Sequence, residues 1–357
     1  MKTIAILALA LSTAAVAVGA TALIQGTNGE DRTNAAEVQR LQDDIDINRQ
    51  CHHANQAIDY LETLTAGQYT SSKFYNCFRP SNEIYEYVDA LAEQNPTLLK
   101  REPISISFHG KNIYAYKLTR SPSKNNSLVF QSLVHAREWI TGSSNLYTLS
   151  SILDDIANNI TTVADKFNLY FVPIVNIDGY DRSWTGHRHQ LKSTNKVDLS
   201  LNWPGNYSKH EPLDETAEHY PGKSPLSEQE TTGISNWIRD KQSELAGWVD
   251  LLSTGGLVLY PNETDTTSKG KFKRLGENVA VEVGYTAQET PRLNISFGTF
   301  PYYFYPTYRK PVLTIHVAGS DFVAPASTIP IRGKEIVKAL TKFGDEVSIF
   351  EGSRESC

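Results

Sequence analysis

Long apolar runs are nearly absent from this 357-residue chain. The one continuous stretch, Ile4 to Val18, stands at the N-terminus behind Lys2 and closes on the small residues Val18, Gly19 and Ala20. That order reads as a signal peptide over residues 1–20, with the mature chain starting near Thr21 in a secretory, extracellular setting. Uncharged sequence continues to Gln25, so Ile4 to Ile24 would also reach across a bilayer as an uncleaved anchor, but no basic cluster succeeds it to stop transfer. Basic runs are missing everywhere and the formal charge is -6, which argues against nucleic acid or an anionic membrane as partner once the signal is removed. Cysteine is scarce. Cys51, Cys77 and Cys357 leave at least one odd thiol in an oxidising compartment, and none is placed like a nucleophile or a metal ligand. A Cys51–Cys77 bridge would staple the N-terminal segment to the start of the main domain, whereas Cys77–Cys357 would tie together the two ends of that domain. Internal repeats and low-complexity tracts are lacking too.

What is present divides the chain. Residues 21–73 are polar and acidic, with too few large apolar side chains for a core of their own, and read as an N-terminal arm or short propeptide. Within it, Leu41, Ile45 and Ile47 predict one short helix and Ile58, Leu61 and Leu64 another. Sequons at Asn125, Asn159, Asn206, Asn262 and Asn294 would accept glycans in a secreted protein. From Pro80 onward apolar runs alternate with helical periodicity. Ser81 is expected to cap a helix whose stripe is Ile84, Tyr85, Val88, Leu91 and Ala92, ended by Pro96. Strands are predicted at Ile113 to Leu118, Leu128 to Val134, Leu169 to Val175, Trp248 to Leu252, Leu257 to Tyr260 and Val312 to Val317. Helices are predicted at Ile140 to Ala157, Ser227 to Arg239 with a Ser227/Glu230 capping box, Lys271 to Val283, and Gly333 to Phe343. Unbroken runs such as Leu128-Val129-Phe130 suit strands buried on both faces. The fold class is therefore α/β: a three-layer α/β/α domain over residues 74–357 around a mixed, mostly parallel sheet.

One stretch carries chemistry. Val134-His135-Ala136-Arg137-Glu138-Trp139 closes a strand and opens a helix, where open α/β sheets present their ligands. His135 and Glu138 are spaced so that an imidazole nitrogen and a carboxylate can converge on one cation, although such a pair is also common on solvated helix surfaces. In context the stretch resembles the signature of the carboxypeptidase A and B family of zinc exopeptidases. The likeness runs in order from about Phe74 to Phe350. Ser81 to Leu99 resembles the family's opening helix, Pro173 to Tyr180 its second signature, Leu257 to Pro261 its third, and Phe322 to Ile329 the loop before its last helix.

The resemblance implies zinc held by His135 and Glu138, with Arg137 helping to hold a peptide, and peptide or protein C-termini as partners. It also shows where this chain departs from the pattern. The expected third ligand, a histidine, falls on Leu252, which has no lone pair to give. The expected general base falls on His316, an imidazole able to move protons or to touch the ion itself. The arginine that polarises the scissile carbonyl falls on Leu191. The Asn-Arg pair that grips the terminal carboxylate falls on Ser200-Leu201, and the mobile tyrosine near Asn294. Arg188 and Lys192 stand close enough to take over one of these functions. His187, His189, His210 and His219 are expected at the surface. The reading is a non-catalytic homologue with a partial zinc and peptide site. An active metallocarboxypeptidase with replacement groups, or another metal hydrolase using His316, is the alternative.

Overall fold

The computed structural model describes residues 35–55, 60–121, 123, 125–205, 207, 213–290 and 298–352. Eight strands form one sheet: β1 (Leu99–Ile106), β2 (Asn112–Leu118), β3 (Ser127–Gln131), β4 (Asn168–Val172), β5 (Leu245–Ser253), β6 (Leu257–Tyr260), β7 (Thr286–Glu289) and β8 (Val312–Val317). Their order is β1-β2-β4-β3-β5-β8-β6-β7. The central run β4, β3, β5 and β8 is parallel, and antiparallel pairing is confined to β1 with β2, β2 with β4 and β6 with β8. Helices α1 (Ala35–Asn55), α2 (Ser81–Gln94), α3 (Trp139–Ala157), α4 (Ile177–Ser183), α5 (Gln229–Lys241), α6 (Thr266–Val283), α7 (Phe300–Tyr308) and α8 (Ile329–Gly352) complete a three-layer α/β/α domain.

Burial on both faces explains why the central strands read as unbroken apolar runs. Every residue of β3 and β4 is buried, as is β5 up to its last position. Alternation would have been the signal of a half-solvated sheet, and these strands have no solvated face. Tight helix packing lies over them: Gly333 on α8 meets Tyr147 of α3 so closely that an added Cβ would stand 2.3 Å from the ring.

Several expectations are corrected by the structure. The strand predicted to reach Val134 stops at Gln131, because the chain turns away at Leu133, whose φ is 53°. Ser81 does not cap α2. It is the first helical residue, and Pro80 holds the cap position without a side-chain bond. The Ser227/Glu230 capping box is not made either, since the Glu230 carboxylate accepts from the Phe108 amide of the β1–β2 turn instead. In the N-terminal segment one helix of 21 residues replaces a short one. Leu41 and Ile45 are buried but Ile47 is 62% exposed, since residues two apart cannot share a helix face.

α1 lies against the domain. Cys51 and Cys77 are joined as a disulfide. Asn48 accepts from the Phe78 amide at 3.2 Å, His52 contacts the Phe78 carbonyl at 2.6 Å, and Arg40 reaches Asp321 at 2.9 Å. No helix among the described residues is long and apolar enough to cross a membrane. The signal-peptide reading, Ile58, Asn206, His210, Asn294 and Cys357 lie outside the described residues.

Candidate functional site

Parallel strands bring their C-terminal ends to one edge of the sheet, and the His135 motif is delivered there by the loop between β3 and α3. His135 Nδ1 lies 3.1 Å from Glu138 Oε1. Its other nitrogen, Nε2, lies 3.2 Å from both Asp198 Oδ1 and Ser200 Oγ. Asp198 is fully buried, and its second oxygen faces His219 Nδ1 at 2.8 Å. Ser200 donates to Asp198 from its hydroxyl at 2.7 Å and from its amide at 3.0 Å. Glu138 Oε2 accepts from the Ser253 amide at the end of β5, at 2.8 Å. A continuous polar chain thus runs from half-exposed His219 through Asp198 and His135 to buried Glu138.

Electrostatics fix the protons in this corner. Burial by itself would depress the His135 imidazole, but the adjoining Asp198 and Glu138 carboxylates overcome it and push the group up to about 10. Burial likewise opposes the charge on Asp198, yet His135 and His219 hold it well below the usual carboxylate range. At neutral pH His135 is therefore an imidazolium that donates at both nitrogens. Beside it, Asp250 on β5 is pushed up to about 7 by burial, and its Oδ1 is buried without a hydrogen-bond partner.

The other half of the site is apolar. β5 and β8 place Leu252 directly opposite His316, so the positions expected for the third ligand and for the base sit side by side. Leu252, Leu191 and Leu201 are all buried. Leu191 is tied to the motif through its carbonyl, which accepts from the Ala136 amide at 3.1 Å and from Asn176 at 3.2 Å. Leu201 is tied through its own amide, which donates to the Asp198 carbonyl at 3.0 Å. Burial lowers the His316 imidazole, with Glu138 acting against that shift. Its place is thus within electrostatic reach of Glu138 but on the apolar side.

Among the described residues no three or more His, Cys, Asp or Glu side chains form a group that could hold a metal ion. The donor set does not fit the tetrahedral zinc site that the motif implies. His135 and Glu138 are hydrogen-bonded to one another, Ser253 occupies the second oxygen of Glu138, and the third position is a leucine. Arg137 does stand at the site. Its guanidinium pairs with Glu218 at 2.8 Å and stacks on Phe322 at 4.8 Å, while its buried Nε has no acceptor. Arg188 is also buried: it pairs with Asp44 of α1 at 2.6 Å, bonds the Arg137 carbonyl and lies 3.8 Å over the Trp139 ring.

Sequence reasoning missed Asp198; His219 is exposed, as expected of a surface residue, and also ends the site's polar chain through Asp198. The signal was available. A histidine poised for a metal usually has its other nitrogen held by a carboxylate, and Asp198 stands two residues before the Ser200-Leu201 pair.

This fold, with a His-x-x-Glu pair at the strand-to-helix junction, defines a metallopeptidase-type scaffold. Residues 84–338 match the model of the zinc carboxypeptidase family, Peptidase_M14, and the chain belongs to that family. It is 28% identical to carboxypeptidase B of Bos taurus over 58% of this chain and 55% of that protein. It is 23% identical to the "Inactive metallocarboxypeptidase ecm14" of Sclerotinia sclerotiorum over 76% of this chain and 54% of that one. The chain thus spans about half the length of these curated relatives. The crystal structure of carboxypeptidase A from Helicoverpa armigera superposes with a TM-score of 0.73 and 19% identity, covering 87% of this chain and 81% of that one.

Proposed function

We propose that this protein is a secreted, non-catalytic member of the zinc carboxypeptidase family that keeps its cleft as a peptide-binding surface. The observation that carries the reading is the pairing of Leu252 with His316 across β5 and β8, next to a His135–Glu138 pair whose hydrogen-bonding capacity is already used within the protein. Two family functions, the third ligand and the carboxylate base, are replaced in one stroke. Leu191 and Leu201 remove the carbonyl-polarising and carboxylate-gripping cations from the neighbouring walls.

Magnitudes support this. Loss of a general base costs roughly 10² to 10⁴ in rate and loss of an oxyanion donor roughly 10² to 10³, so little exopeptidase turnover survives even when such effects fail to add. What remains suits binding: Arg137, ordered by Glu218 and Phe322, in the same motif as Ala136, whose amide bonds the Leu191 carbonyl. The relative named inactive supports the existence of non-catalytic members in this family. The expected secretion rests on the N-terminal sequence.

The test is to equilibrate the purified protein with zinc, measure its metal content, and follow peptides ending in aromatic, aliphatic and basic residues by mass spectrometry. Less than one zinc per chain and no release of terminal residues are expected. Turnover in the ordinary enzyme range of roughly 1 to 10³ s⁻¹ would refute the reading. The electrostatic coupling of His316 to Glu138 favours one alternative, in which the His316 ring supplies a third ligand. On that alternative zinc is stoichiometric in the parent and absent in His316→Ala.

A further inference from the structure

A cavity of 580 Å³ opens between α1 and the loop that succeeds α4. Its volume lies within the range of ligand pockets, roughly 300 to 1,000 Å³. One wall is aliphatic, with Val38 and Leu41 from α1 and Leu191 from the loop. The lining also carries Arg182, Arg188, Lys192 and Lys196, against Glu218 as its one acid.

The surrounding acids cancel part of this excess and leave Arg182 outstanding. Asp44 is matched by Arg188, Glu215 by Lys196 and Glu218 by Arg137. Lys192 rests on the backbone carbonyls of Glu215 and Ala217 at 2.9 and 2.8 Å, with Asp214 as a nearby carboxylate. Arg182 is exposed and has no acidic partner among the described residues. Deeper in, Arg188 is 1% exposed and one of its terminal nitrogens has no hydrogen-bond acceptor. A concave wall with surplus positive charge concentrates its field on whatever enters.

From this arrangement we infer a binding pocket for an acidic peptide segment in which carboxylate side chains alternate with aliphatic ones. The aliphatic wall takes the apolar residues, and the Arg182 and Lys192 side takes the carboxylates. A peptide is favoured over a polysulfated glycan because the lining mixes aliphatic side chains with cations, and a glycan has no aliphatic side chains to place against Val38, Leu41 and Leu191. Leu191 lines this pocket and is bonded through its carbonyl to Ala136 of the His135 motif, so the pocket continues the cleft toward α1. The inference deepens the peptide-binding reading but does not use the peptide's C-terminus. Because α1 supplies a wall, the segment outside the matched family domain is part of the site.

The probe is an N-acetylated Leu-Glu-Leu-Glu peptide amide, with the Leu-Gln-Leu-Gln amide as its neutral counterpart, titrated by calorimetry into the full protein at low ionic strength. Blocking the C-terminus separates this pocket from any terminal-carboxylate site, so its failure and failure of the peptidase test are distinguishable. The acidic peptide is expected to bind about tenfold more tightly than the neutral one, and 0.5 M salt is expected to erase the difference. Arg182→Glu on the loop should remove the preference, and Gln42→Glu on α1 should weaken the acidic peptide about threefold. Both positions are at least partly exposed, and unchanged thermal melting confirms that the fold is intact. Equal affinity for the two peptides overturns the inference. So does an unaltered preference in both folded variants, or displacement of the peptide by a heparin-like glycan that binds more tightly than it does.

Discussion

The two halves of the cleft differ in how they satisfy burial. At the end of β3, His135, Glu138, Asp198 and Ser200 bury ionisable groups and pair every one of them. Across the sheet, at the ends of β5 and β8, Leu252 and His316 bury an aliphatic chain against a single imidazole that burial keeps near neutrality. A paired network is costly to break at one member, whereas an apolar wall tolerates change. On the proposed reading, pairing within the fold is enough to hold the His135–Glu138 half in place without any chemistry. Preservation of His135 and Glu138 is therefore no evidence of catalysis.

The sharpest way to break this comparison is Asp198→Ala. It leaves the His135 imidazolium buried with one partner fewer and releases His219, and breaking such a buried pair costs roughly 3–5 kcal/mol. Denaturant unfolding of the variant against the parent measures it. A loss below about 1 kcal/mol would mean that the network contributes nothing beyond a surface ion pair.

A buried carboxylate without a cation should behave in the opposite sense. Glu230 is fully buried, and burial pushes it up to about 7, against the weaker opposing pull of backbone amides including that of Phe108. The folded state then holds a proton that the unfolded chain releases near 4.5, so stability falls as pH rises from about 4.5 through 7. The difference corresponds to about 3 kcal/mol. Glu230→Gln should flatten that part of the pH–stability profile. An unchanged profile would show that Glu230 ionises in place without cost.

The apolar half can be tested by restoring its lost ligand. Leu252→His places an imidazole opposite His316 and next to the Ser253–Glu138 contact, so zinc affinity should rise by at least about 100-fold, more than an outer-shell partner contributes. Calorimetric titration with zinc reads this directly. On the proposed reading, peptidase activity should stay absent in this variant, because Leu191 and Leu201 are unchanged.

The fold was readable because the central strands are buried on both faces, and β6 and β8 were bounded correctly from their apolar runs alone. Edge elements were not. β1, with exposed Lys100, Arg101 and Pro103, and the four-residue β7 carry too little apolar pattern to announce themselves. Caps failed where tertiary partners competed: Glu230 is drawn to the Phe108 amide, a contact 122 residues distant in sequence. In the site, the motif marked His135 and Glu138; Leu191 and Leu201 are linked to this corner through backbone hydrogen bonds to Ala136 and Asp198. Asp198 and His219 stayed hidden because their link to His135 spans 63 and 84 residues and leaves no local spacing to read. The docking of α1 was partly legible: Leu41 and Ile45, read as apolar positions, are buried, and Cys51–Cys77 was one of the two pairings weighed, whereas the polar contacts of Asp44 and Asn48 leave no sequence pattern.

The smallest effect expected is that of Ser200→Ala, and it tests whether the retained half is graded or all-or-none. The Ser200 hydroxyl donates to Asp198 Oδ1 at 2.7 Å and approaches His135 Nε2 at 3.2 Å. Its removal does not orphan the carboxylate oxygen, which keeps the Ser200 amide at 3.0 Å and the imidazolium at 3.2 Å. The side chain is only partly buried, so water can replace the lost donor. One hydrogen bond to a charged acceptor with such compensation is worth about 1 kcal/mol, a fraction of the Asp198→Ala loss. Denaturant unfolding at constant slope should show that small shift. A loss matching Asp198→Ala would mean that the hydroxyl fixes the orientation of the carboxylate, and that the imidazolium clamp forms only when every member is present.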